Sequence, residues 1–123
     1  MLVVDDVHEI TGFVGEYLSG RGYEIARAYD GLQAIDSALF FRPHIILLNV
    51  LMPRLCGDRA VSYLKAHPAT KDARIILTSG HYQIEQIAQR VGADALLKTP
   101  YTLPDLDRAI MRMLALGPQR QTP

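Results

Sequence analysis

The run Ile45-Ile46-Leu47-Leu48 is apolar at every position, and it constrains the fold more than any other part of the chain. A strand with one wet face alternates apolar and polar residues. A strand covered on both faces is apolar throughout, which is the habit of parallel sheets sandwiched between helices. Pro43 and the polar Asn49 bound the run and hold it to strand length. Short runs of the same kind recur at 2–4, 74–78 and 95–98, and residues 23–28 alternate enough for a half-exposed strand.

Helical patterns fill the intervals. Ile10, Val14 and Leu18 recur every four residues, and Gly20-Arg21-Gly22 ends that helix. Asp30 is placed to cap a second helix whose apolar stripe is Leu32, Ile35 and Leu39. Gly57 opens a third, with Val61 and Leu64 inward, and His67-Pro68 closes it because the residue before a proline disfavours the helical region. Ile84, Ile87, Ala88 and Val91 mark a fourth, with Gly92 as its left-handed cap. Leu103, Leu106, Ile110 and Met113 mark a fifth over 103–116. Five strands and five helices in strict alternation predict an α/β fold, a doubly wound parallel sheet flanked by helices. In 123 residues this makes one domain, 1–117, with a core that needs no disulfide, and a flexible tail, 118–123.

Doubly wound sheets bind ligands beyond the carboxyl ends of their strands. The polar residues expected there are Asp5 and Asp6 after the first strand, Asn49 after the third, Thr78 after the fourth, and Lys98 and Thr99 after the fifth. Charge argues against some partners: Lys plus Arg and Asp plus Glu number 13 each, so no net field draws the chain to nucleic acid or an anionic membrane. No run reaches the roughly 18 apolar residues that span a bilayer. Asp5 and Asp6 interrupt the start before a leader could develop. Cys56 is the only cysteine, so no internal disulfide forms and a cytoplasmic location is expected. His8, His44, His67 and His81 share no metal-ligand spacing and read as surface or packing residues. Arg54 sits in the turn after Pro53, near the expected pocket, where it either stays exposed or meets a carboxylate.

From Met1 to about Leu116 the order and spacing of these pieces resemble response-regulator receiver domains. The resemblance implies a flavodoxin-like, CheY-like sheet of order 2-1-3-4-5, which right-handed crossovers also favour. It further implies that two acids after the first strand and an aspartate after the third hold magnesium, and that this aspartate accepts a phosphoryl group from a histidine kinase. A hydroxyl after strand four, here Thr78, and a lysine before a cis proline, here Pro100, would steady that group. Asn49 stands in place of the acceptor, Thr99 in place of the lysine with Lys98 one residue early, and Leu96 where an aromatic switch residue is common.

These departures bear on chemistry. Phosphoryl transfer needs an anionic nucleophile in line with the leaving group, and a carboxamide offers none. Asp5, Asp6 and the Leu51 carbonyl would still supply magnesium with oxygens, but with one carboxylate fewer, so weak magnesium binding at best and otherwise no cofactor is expected. Side chains alternate along a strand, so Lys98 is expected to face away from the pocket. The resulting expectation is a degenerate pseudo-receiver, not an enzyme. It would act in a two-component or related phosphorelay pathway by binding protein: an output domain, a histidine kinase, another regulator or a second copy. The surface would be that of the fourth helix, fifth strand and fifth helix, with Tyr82, Gln86, Gln89, Arg90, Asp107, Arg108 and Met111 outward. One alternative is an ordinary phospho-accepting receiver with an engineered Asp-to-Asn change at Asn49, which leaves Thr99 unexplained. Another is a flavin or nucleotide binder, against which two acids after the first strand would repel a phosphate.

Overall fold

The computed structural model describes residues 1–52 and 54–116; the expected tail, 118–123, lies outside them. Elements run β1 (Leu2–Val4), α1 (His8–Gly20), β2 (Ala26–Ala28), α2 (Gly31–Phe41), β3 (Ile45–Asn49), α3 (Gly57–Ala66), β4 (Arg74–Ser79), α4 (Ile84–Val91), β5 (Ala95–Lys98) and α5 (Leu103–Leu116). All strand pairs are parallel, in the order β2-β1-β3-β4-β5. No described helix is long and apolar enough to cross a membrane.

Side-chain alternation splits the core into two layers. Val4, Leu48, Leu77 and Leu96 face α2, α3 and α4, packing with Ala34, Ala38, Val61, Leu64 and Ile84. Val3, Leu47, Ile76 and Leu97 face α1 and α5, packing with Val14, Leu18, Leu106, Ile110 and Met113. Ile46, Leu48, Ile75, Ile76 and Leu77 are fully covered, and each such side chain contributes about 2 kcal/mol of transfer free energy. This is why the central strands read as unbroken apolar runs.

Three elements depart from expectation. β2 holds only Ala26–Ala28, because the Tyr23 N–H closes on the Leu18 carbonyl at the end of α1 (3.3 Å) and pairing with β1 starts only at Ala26. On α2 the buried stripe is Gly31, Ala34 and Ala38. Leu32 is exposed, and Ile35 and Leu39 are half-buried. Small side chains let the helix lie close: a Cβ on Gly31 would come within 2.2 Å of the Leu55 carbonyl oxygen. In the first turn of α1, Ile10 is exposed while Val14 and Leu18 are buried, because Ile10 lines an open groove with Asp5, Pro100 and Leu103. Asp30 does cap α2, its carboxylate accepting from the Gln33 N–H at 2.8 Å, and Gly92 ends α4 at φ 77°.

A buried ionic cluster ties the far layer together. Asp94, just before β5, accepts from Lys65 of α3 (2.6 Å), from Arg74 of β4 (3.2 Å) and from the Ile75 N–H (2.8 Å). Burial alone would raise the Asp94 pKa, but the Lys65 contact, the backbone donor and Arg74 together hold it below the ordinary value. A carboxylate depressed in the folded state stabilises fully above its unfolded pKa, near 3.9, and loses that contribution as pH falls through the folded value. Asp94→Asn leaves two cations short of their carboxylate and should cost about 3 kcal/mol at pH 7 by urea unfolding. The gap between variant and native protein should close at pH values below 3.9.

Candidate functional site

Alternation along the strands decides what meets at the carboxyl edge. Asp5, Asn49, Thr78 and Thr99 share the parity of Val3, Leu47, Ile76 and Leu97, so all four belong to the side of α1 and α5. The register sets Asn49 opposite Thr78 and Thr78 opposite Leu97. Lys98 has the opposite parity. Its Nζ lies 2.5 Å from Glu85 Oε1 of α4, both groups well exposed, so the ammonium is directed away from Asp5 and Asn49.

Asp5 leaves β1 with its backbone N–H on the Ala28 carbonyl at 3.2 Å. Its carboxylate accepts from the Val7 N–H at 3.0 Å, and Thr11 Oγ1 donates to its carbonyl at 2.9 Å. These bonds turn the chain into α1 and leave Asp5 only 9% exposed, with Asp6 outside it. Burial raises the Asp5 pKa. The Val7 N–H works against this, the Asp6 carboxylate adds to it, and the Asn49 amide partly offsets it. No described cation pairs with Asp5 or Asp6 among the ion pairs. Tyr101 is half-buried beside them, and burial together with the Asp5 charge pushes its hydroxyl pKa up.

At the tip of β3 the Asn49 side-chain N–H donates to the Leu51 carbonyl at 3.3 Å, and the Val50 N–H to the Thr78 carbonyl at 3.0 Å. α3 begins directly beneath. A Cβ on Gly57 would come within 2.2 Å of the Asn49 carbonyl oxygen, so only glycine fits there. Thr78 is buried, and neighbouring Ser79 Oγ accepts from the His81 N–H at 2.9 Å. Thr99 Oγ1 sits beside Gly80, and the Thr99–Pro100 bond is cis. Leu96 is half-buried against the α2, α3 and α4 layer, an aliphatic plug with no polar tip.

Magnesium is the ion that a receiver resemblance brings to this edge. The side chains here offer two carboxylates, the third position is an amide, and the Leu51 carbonyl already accepts a hydrogen bond from that amide. No group of three or more His, Cys, Asp or Glu is gathered for a metal among the described residues. The fit is poor for an ion that prefers near-octahedral oxygen ligands.

Arg54 was legible as a turn residue, and the two fates open to it coincide: it stays exposed and also pairs with the Asp30 carboxylate, Nε at 3.0 Å, from a left-handed backbone at φ 67°. The expected outward set on α4 and α5 is only partly so. Tyr82, Gln86, Gln89, Arg108 and Met111 are exposed, and a groove of about 680 Å³ runs between Glu85, Gln89, Lys98, Tyr101 and Arg108. Asp107, however, turns to α1, accepting from Tyr17 at 2.7 Å and Arg21 at 2.9 Å. Arg90 is exposed as expected, and its guanidinium reaches Asp58 of α3 at 3.2 Å. A second, more apolar groove of about 510 Å³ lies between α1 and the start of α5, with Asp5, Ile10, Phe13, Pro100 and Leu103 along it.

Residues 1–111 match the response regulator receiver domain family. The chain belongs to that family. The response regulator MprA of Mycobacterium avium (strain 104) is 32% identical over 121 residues, covering 94% of this chain and 50% of that protein. The same-named protein of Mycobacterium tuberculosis (strain ATCC 25618 / H37Rv) is also 32% identical. This receiver thus spans about half the length of the curated relatives it matches. Among solved structures it is similar to the chemotaxis response regulator CheY4 of Vibrio cholerae, with TM-score 0.84, 28% identity, and 91% and 95% of the two chains covered. The receiver domain of NtrX from Brucella abortus gives TM-score 0.85 at 28% identity, covering 94% and 98%. It is therefore a receiver of two-component signalling, a class that exchanges signals with kinases and other proteins.

A cation at position 99 would share the parity of Asp5. Thr99→Lys should therefore lower the Asp5 pKa from its raised value, by one unit or more for an ammonium within about 5 Å. Lys98→Ala should leave it unchanged, both read by carboxyl-carbon NMR titration.

Proposed function

We propose that this receiver is a phosphorylation-independent protein-interaction module, not an enzyme, that has lost the acceptor chemistry of its family. The observation that carries this reading is the pairing of two displacements at one edge. The nucleophile position holds the Asn49 amide, and the only lysine near the edge is ion-paired to Glu85 on the outer side of α4. A nucleophile without a negative oxygen forms no acyl phosphate, and a site without an ammonium does not neutralise one. A receiver disabled by a single engineered change at Asn49 would keep its lysine on the inner parity, whereas here Thr99 holds that place.

In this reading the signal is read out from surface shape, with a kinase, an output domain, another regulator or a second copy as partner. The groove framed by α4, β5 and α5 is the candidate face, lined by charged and polar side chains that include the exposed Lys98–Glu85 pair. Magnesium binding is weak, because an amide replaces the third carboxylate.

Acetyl phosphate with magnesium tests this directly. The native chain should gain no phosphate by intact mass, and Asn49→Asp should gain little, because Thr99 still lacks charge. Asn49→Asp with Thr99→Lys should label. Magnesium affinity should rise about tenfold or more in Asn49→Asp, by calorimetry, as a full negative charge returns. Acid-labile phosphate on the native chain at the tip of β3 would end the proposal.

A further inference from the structure

We propose that the two arms of the connection between β3 and α3, residues 50–52 and 54–56, are each held in place by an internal contact, the Asn49 amide on one side and the Arg54–Asp30 ion pair on the other, so that neither cation nor phosphoryl group is needed to set them. The inference rests on the reading of Asn49 above and names what takes the place of the lost chemistry.

On the β3 side, the Asn49 amide donates to the Leu51 carbonyl at 3.3 Å, and its proximity acts to lower the pKa of the Asp5 carboxylate. Val50 and Met52 are buried in the α2, α3 and α4 layer, and the Gly57 N–H bonds back to the Val50 carbonyl at 2.6 Å. On the α3 side, Arg54 occupies a left-handed backbone that a residue with a Cβ adopts at a cost of about 1 kcal/mol or more. What holds it there is Asp30, whose side chain is only 5% exposed and whose second oxygen caps α2 through Gln33. Burial of Asp30 works to raise its pKa, but the Gln33 N–H and Arg54 together hold it below the usual carboxylate value. Leu55 then seats against Gly31, where no side chain would fit. Each arm of the connection is thus anchored by a contact the protein supplies itself.

Arg54 is a positioning residue, and its removal can be made without strain. Arg54→Gly suits the left-handed backbone and removes the side chain with its guanidinium. Asp30→Asn keeps the helix cap, since an amide oxygen still accepts from Gln33, and takes away the charge and the acceptor that face Arg54. In amide hydrogen exchange by NMR, both variants should speed exchange at the hydrogen-bonded amides of Val50 and Gly57 about tenfold while β1 and β4 keep native protection. The double variant should add nothing further. Asn49→Ala should release the Val50 and Gly57 amides by a similar factor. In the native protein, excess magnesium chloride, alone or with beryllofluoride, should leave these amide resonances in place.

Unchanged exchange in Arg54→Gly and Asp30→Asn would overturn the proposal, since the backbone would then hold without the pair. So would large shifts of these amides on adding magnesium to the native chain. Both results are separable from the phosphorylation test. A native chain that takes up phosphate defeats the functional reading whatever the exchange rates, and a loose turn in a chain that takes up none defeats only the lock.

Discussion

The two-residue repeat of an extended strand governs this molecule. Each strand delivers alternate side chains to opposite helical layers, and a shift of one residue moves a group through the plane of the sheet. Asp5, Asn49, Thr78 and Thr99 gather at one edge because they continue the parity of Val3, Leu47, Ile76 and Leu97. Lys98 continues that of Leu96, and it meets Glu85 on α4. A lysine one position early is chemically present and geometrically absent.

That alternation works only because the sheet is rigid, and its rigidity comes from burial on both faces. Ile46, Leu48, Ile75, Ile76 and Leu77 leave no strand free to slide without exposing a whole row of side chains. The Asp94 cluster fastens α3, β4 and the approach to β5 from the other end. A buried carboxylate with two cations and a backbone donor is satisfied only in one relative placement of these elements, so it adds registry as well as stability. The carboxyl edge is therefore positioned by contacts far from its own polar residues.

Much of this was readable in the residues. Apolar runs gave the strands, and spacings of three and four gave the helices. Asp30, Gly57 and Gly92 marked helix ends because each supplies a local need, an acceptor, a missing Cβ or a left-handed cap. The outward turn of Lys98 followed from alternation alone. What escaped were contacts across sequence distance. The Arg54–Asp30 pair spans 24 residues, and Tyr17–Asp107 spans 90, and no local pattern encodes either. α2 was misread for a related reason: hydrophobicity pointed to Leu32, Ile35 and Leu39, but close approach of the helix selected Ala34 and Ala38, where size outweighs apolar content. β2 was overextended because alternation marks exposure, not the point at which a partner strand begins.

The Lys98–Glu85 bridge has a consequence for the outer surface. Charges that sit in a shielded cleft are little affected by dissolved electrolyte, but this pair lies in open water, where small ions compete within roughly 8 Å at physiological strength. Because the ammonium is anchored outside, the groove between α4 and α5 inherits an electrolyte-sensitive clasp across its floor. Any molecule that settles there must displace or straddle it, so crowding by salt loosens the clasp and eases entry for an uncharged ligand while weakening the hold of an acidic one.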